Sequence, residues 1–236
     1  MKKASSPYLL LFLCSTLPFW GNLYSFLPQK PLPFFEAVLI FTKGFTLLAP
    51  FLFWKALKLP LSWKYFAEHL DLQNNKKRKI AIGTLVGVLM GASIVGAFEF
   101  LPDTLQKETF SRIALKIQTL HIQNYFWLYA ILLSLAHSLL EEFYWRFFLF
   151  AAFKKYIPRY RHLLVALAFS LHHFVVTIFY FDFKLGFFLG FGVLVAGYIW
   201  TKLYEKEKSL TAVWISHIIA DIALMSFGFR ALSSHS

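Results

Sequence analysis

The sequence predicts an all-α, polytopic integral membrane protein, a single domain over residues 1–236 with about seven transmembrane helices. Three observations predict it. The chain is 58% hydrophobic and 20% aromatic, and only 15% of it is charged, against roughly 25% in soluble domains. So little polar surface cannot cover a globule of this size. The apolar runs are roughly 20 residues long, the length that crosses a hydrocarbon core of ~30 Å. Most Lys and Arg residues fall in the short connections between those runs, which is how membrane orientation is encoded. A net charge of +12 would suit nucleic acid in a soluble protein; this placement argues for a lipid bilayer and no nucleic acid.

The first run, Tyr8–Leu27, follows Met1-Lys2-Lys3 and imitates a secretory signal. No small-x-small cleavage site follows it, and Leu11-Phe12-Leu13 lacks the small residue that a lipoprotein signal places before its cysteine, so a retained span is expected. Cys14 is the single cysteine, which rules out an intrachain disulfide. The second span is placed at Phe34–Leu57 and the third at Ile80–Phe100. Gly83, Gly87 and Gly91 recur every four residues in the third, a spacing that lets helix backbones approach closely. The fourth, fifth, sixth and seventh spans fall at Asn124–Phe153, His162–Phe181, Leu185–Leu203 and Leu210–Phe229. Gly186 and Gly190 repeat the glycine spacing in the sixth.

Two connections are long enough to carry surface structure. Pro60–Lys79 is basic and aromatic (Trp63, Tyr65, Phe66), a composition suited to an anionic leaflet. Pro102–Gln123 sets Leu105, Ile113, Ile117 and Leu120 at helical spacing. One side of the membrane gathers Lys2 and Lys3, the Lys55–Lys79 segment, Lys154–Arg161 and Lys202–Lys208. The N-terminus is therefore expected in the cytoplasm and the C-terminus outside, in the cell (inner) membrane, which an odd number of spans satisfies.

Within the fourth run stand Glu141-Glu142-Phe143-Tyr144-Trp145-Arg146. An ionised side chain at membrane depth costs about 2.5–3.5 kcal/mol even on the lenient insertion scale. Three in six residues need a reason. Glu142 and Arg146, four apart, share a helical face and can pair as a structural clasp. Glu141 points away from that face.

The fifth span holds Phe169-Ser170-Leu171-His172-His173 and the seventh holds Ser216-His217-Ile218-Ile219-Ala220-Asp221. His217 and Asp221 are again one turn apart. His137 and His172, each taken alone, read as helix–helix hydrogen bonders. As a set, Glu141, His173, His217 and Asp221 are two imidazoles and two carboxylates from three spans, which suits the handling of water or of a metal. A carboxylate in a low-dielectric pocket is a stronger base, suited to taking a proton from water. An imidazole can share that water, and a second can meet the oxyanion formed when water attacks a carbonyl. The same four residues could instead hold Zn²⁺. Neither His-Glu-x-x-His nor Gly-x-Ser-x-Gly occurs in the chain.

Glu-Glu-x-x-x-Arg on one span, Phe-x-x-x-His on the next and His-x-x-x-Asn/Asp on a late span resemble the CPBP (Abi) family of intramembrane proteases. That family includes the type II CAAX prenyl endopeptidases and proteins of bacteriocin self-immunity. The resemblance covers roughly Leu132 to Met225, within the three motif-bearing spans (residues 124–229). It implies that Glu141 and His173 activate the attacking water, that His217 and Asp221 assist the oxyanion or a ligand set, and that Glu142 and Arg146 support the site. The Phe-x-x-x-His count selects His173 over His172.

The chain departs from the family pattern twice. Phe147 follows the arginine where glycine is frequent, and Asp221 stands where asparagine is usual. A carboxylate at that position would repel an oxyanion unless neutral or metal-bound. The implied function is an intramembrane endopeptidase acting on a membrane-associated protein or peptide. The alternatives are a transporter or proton relay, with Lys43 and Glu99 extending the path, and a catalytically silent immunity-type protein on the same fold.

Overall fold

A computed structural model of the protein describes residues 6–26, 32–60, 62–70, 75–181 and 183–234. Among these no strand occurs, and the chain is a succession of helices. They are α1 (Pro7–Phe26), α2 (Leu32–Phe53), α3 (Trp63–His69), α4 (Lys76–Glu99) and α5 (Asp103–Thr119). There follow α6 (Gln123–Tyr156), α7 (Arg161–Tyr180), α8 (Phe183–Glu207) and α9 (Leu210–Ser233).

By length and composition, five of these can cross a membrane: α4, α6, α8, α9 and the run Pro158–Phe179 that contains α7. They match the third to seventh expected spans. α1 and α2 occupy the places of the first two, and the described apolar part of α2 is the shorter run Ile40–Phe53. Lys2, Lys3 and Lys30, used in the orientation argument, lie outside the described residues. Large apolar side chains such as Leu85, Leu89, Phe187, Phe188 and Phe191 are more than half exposed. A face of that kind is stable against lipid rather than water.

Both long connections contain helix. Ser62 caps α3 by accepting the Tyr65 N–H at 3.1 Å. α5 begins after Pro102, with Asp103 in its first turn and Lys116 in its last, both favourable to the helix dipole.

The helices gather into two compact units. One comprises residues 1–72 and 140–210, the other residues 73–139 and 211–236, so α6 contributes its two halves to different units. In the first, α7 packs against α1 and α8, and α2 packs against α1 and the Phe143–Leu149 segment. Glycine makes the α7–α8 approach possible. A Cβ at Gly190 would run into the Phe174 ring, and one at Gly186 into the backbone of Ile178.

In the second unit the expected glycine ridge of α4 faces α9. A Cβ at Gly83 would strike the Ala212 carbonyl, and one at Gly87 would come within 2.9 Å of the Ser216 Cα and of Ile219. Phe98, Phe110 and Phe227 close one end of this unit, where Arg230 pairs with Glu99. Ile117, Phe126 and Ala130 form its other apolar cluster.

α6 is not uniformly α-helical. It widens to π winding, with hydrogen bonds five residues back, over Leu133–His137 and again over Phe143–Leu149. One α-helical turn, Ser138–Glu142, lies between them. The sequence gives no Gly or Pro here, and regular helix was expected. π segments of this kind are rare and concentrate at functional sites.

Candidate active site

The site in the first unit is built on the turn between the two π segments. Glu141 and Glu142 are buried there, and Glu142 is fully so. Arg146 reaches back to Glu142, its Nη1 donating to Oε1 at 2.9 Å with both side chains wholly excluded from solvent. The guanidinium also sits 4.4 Å over the Phe169 ring and 5.4 Å over Trp200, and its Nη2 donates to the Gly197 carbonyl at 3.5 Å. A Cβ on Gly197 would meet Phe169 at 2.8 Å, so a side chain there would push α8 away from this contact. The clasp read from the Glu-x-x-x-Arg spacing is therefore present, and it is lined by aromatic faces.

Glu141 faces α7. His172 Nε2 lies 3.3 Å from Glu141 Oε1, an imidazole N–H to carboxylate hydrogen bond. The Trp145 indole stacks on the His172 ring with centroids 5.5 Å apart and planes 7° from parallel, fixing the ring's tilt. The His172 carbonyl accepts from Asn22 Nδ2 of α1 at 3.4 Å.

His173 adjoins it, with ring centroids 4.0 Å apart. Its Nδ1 sits 3.0 Å from the Phe169 carbonyl. A carbonyl only accepts, so Nδ1 carries the proton and the lone pair of the neutral ring resides on Nε2. One donor atom from each of Glu141, His172 and His173 lies within 4.8 Å of the others. Adjacent ligands around a tetrahedral Zn²⁺ with bonds of about 2.1 Å are roughly 3.4 Å apart. Side-chain adjustment of about an ångström separates the two arrangements.

The motif count singled out His173 and gave His172 second place. It is His172 that bonds Glu141. Trp145 was passed over because the motif spacing treats it as filler; the residue that shields a buried imidazole can be found only once the two helices are docked. The sequence places Lys43 only in the alternative reading, as an extension of a proton-relay path with Glu99. Lys43 is half-buried on α2, and the Glu141 charge acts on it. Its sequence signal was visible, as the sole charged residue in the apolar run Ile40–Phe53.

The remaining expected residues lie in the second unit. His217 Nε2 is 3.5 Å from Asp221 Oδ1, and both are largely buried. One turn earlier on α9, Trp214 Nε1 donates to the Leu135 carbonyl at 3.0 Å. That carbonyl belongs to the first π segment, whose wider winding displaces backbone groups from regular pairing. His137 ends the same segment.

Residues 123–223 match the family described as Type II CAAX prenyl endopeptidase Rce1-like. That description falls within the CPBP family, which the three motifs resemble. The matched segment begins with α6 and ends within α9, so it contains all three motifs. At the level of the family it supports an intramembrane CAAX-type protease, a hydrolase acting on membrane-associated substrates. No curated protein and no solved structure matches the chain.

Proposed function

We propose that this protein is an endopeptidase that hydrolyses a peptide bond of a membrane-associated protein or peptide, with Glu141 as the base. The observation that carries the reading is the cluster of Glu141, His172 and His173, with Glu141 on the α-helical turn between two π segments inside apolar surroundings. A prenylated C-terminal Cys-a-a-X peptide is the substrate class that the family description supports.

In the step that follows, a water between Glu141 and His173 attacks the scissile carbonyl carbon. Its proton passes to Glu141, and the carbonyl π pair moves onto oxygen. His173 Nε2 orients the water by accepting its second O–H. His172 holds the carboxylate through Nε2–H, and Trp145 holds His172. When the tetrahedral adduct collapses, the C=O bond re-forms and the C–N pair goes to nitrogen. That nitrogen takes the proton from Glu141, leaving a new acid and a new amine. Glu142 and Arg146 keep the turn in place. His217 and Asp221 keep the role that the family resemblance gives them, assistance to the oxyanion or to a ligand set.

The donor set of Glu141, His172 and His173, two imidazoles and a carboxylate, also fits a Zn²⁺ ion, which these three residues would hold. Such an ion would lower the pKa of its bound water and polarise the carbonyl. The expected alternative set of Glu141, His173, His217 and Asp221 remains part of this proposal. Metal content of purified wild-type and His173→Ala protein separates the two mechanisms.

The test is cleavage of an internally quenched farnesylated Cys-a-a-X peptide by the full chain in liposomes. Glu141→Gln is expected to lower kcat by about 10³-fold, within the range for general-base removal, and His217→Ala by at least tenfold, both without loss of folded protein. Wild-type rates in Glu141→Gln would end the proposal.

A further inference from the structure

Lys43 asks for an explanation that the family motifs do not supply. Lys43 is the one charged residue of the apolar run Ile40–Phe53, with Glu36 two turns earlier on α2, and a lysine in such a run is expensive to retain. Three contacts fix its height. Gly21 of α1 abuts the side chain of Thr42, the residue before Lys43. The next residue on α1, Asn22, bonds the carbonyl of His172. Two residues after Lys43, Phe45 packs edge-on against Tyr144 of the second π segment, with centroids 6.3 Å apart. The turn of α2 carrying Lys43 is thus level with the turns carrying Glu141 and His172.

The charge arithmetic of the pocket gives Lys43 a task. Arg146 is committed to Glu142 at 2.9 Å and neutralises it. Glu141 brings one negative charge. During hydrolysis that charge passes to the substrate: as Glu141 takes the proton from water, the carbonyl oxygen becomes the anion. The Glu141 charge therefore persists through the step as the oxyanion, and a cation beside it acts at the moment when the oxyanion forms. In an apolar cavity such a preorganised charge is worth far more than in water.

We propose that Lys43 is a further catalytic residue, its ammonium group stabilising the oxyanion of the tetrahedral adduct. The proposal rests on the hydrolase reading above. In the resting state burial opposes the Lys43 charge and Glu141 offsets part of that cost.

The test uses the full chain in liposomes with the farnesylated Cys-a-a-X peptide, comparing Lys43→Met, Lys43→Gln and Lys43→Arg. Lys43→Met is expected to lower kcat by about 10²-fold, the effect of removing one oxyanion-stabilising group, with KM changed less than threefold. Lys43→Arg should regain at least tenfold of that loss, and Lys43→Gln should not. A phosphinate analogue of the peptide, a tetrahedral anion, should bind Lys43→Met about as much more weakly as kcat falls. If Lys43→Met does not fold, the comparison of Arg with Gln decides. Equal activity in those two, unchanged kcat in Lys43→Met, or undiminished phosphinate affinity would overturn the proposal. Glu141→Gln distinguishes the causes of failure. Inactive Glu141→Gln beside fully active Lys43→Met removes the role of Lys43 alone; active Glu141→Gln removes the hydrolase reading with it.

Discussion

The residue that couples Glu141 to its surroundings most visibly is Trp145. It stacks on His172, touches Phe169 and Tyr144 at their edges, and is 1% exposed. Its work is positional: a tilted His172 would withdraw its N–H from Glu141. Trp145→Phe keeps an aromatic face and is expected to lower kcat by less than tenfold. Trp145→Leu removes the stack and is expected to lower kcat by ten- to a hundredfold with KM little changed. Rescue by Phe relative to Leu, measured on the same peptide, identifies stacking rather than bulk. Trp145→Ala would be uninformative, since emptying a buried tryptophan site costs about 3–5 kcal/mol.

At the scale of elements, the glycines of α4 and α8 decide which helices can touch. Gly87→Leu places a branched chain where a single Cβ already comes within 2.9 Å of the Ser216 Cα. It is expected to separate α4 from α9 and lower Tm by several degrees in detergent. Gly192 faces open space, and Gly192→Ala is expected to gain up to about 1 kcal/mol from helix propensity alone. The pair, measured by thermal unfolding, tests whether spacing or propensity controls these helices.

The same elements show how far the sequence could be read. Periodic glycine marked the faces of α4 and α8 because close approach has one chemical solution. The Glu142–Arg146 clasp was legible because one helical turn fixes it. The π winding of α6 was not: Leu133–His137 and Phe143–Leu149 contain neither Gly nor Pro to mark a departure from regular winding. The contact between His172 and Glu141 was not legible for the same reason, since adjacent residues differ by about 100° of rotation and only docking on α6 says which one meets the carboxylate. Lys43 fell outside every motif.

The whole molecule reads as a membrane protein from its exposed apolar bands and five apolar helices of spanning length. Its basic side is reinforced by packing. Arg161 donates to both carboxylate oxygens of Glu205 at 3.0 and 2.9 Å, with His162 at 2.5 Å and Lys154 at 3.6 Å. Lys155 and Tyr156 donate to the Leu57 carbonyl, and Lys155 also to that of Lys58. These contacts tie α6, α7, α8 and the end of α2 together at one level. The orientation argument predicts that this level is cytoplasmic and that the C-terminus is outside. A reporter active only outside the cell, fused after Ser236, is expected to be active, and one fused after Lys155 inactive. The reverse pattern would invert the assignment.

The pair of widened turns in α6 has a genetic corollary. Each holds one amino acid more than regular winding requires, so a codon lost from 133–137 or from 143–149 could be absorbed by tightening the coil, without breaking it. The cost would be rotational: side chains on either side of the deletion would shift phase by about a quarter turn. A deletion variant of this kind would keep its helix content while Glu141 no longer faced its imidazoles. The extra residue acts as a gear tooth, setting which way the Glu141 turn points.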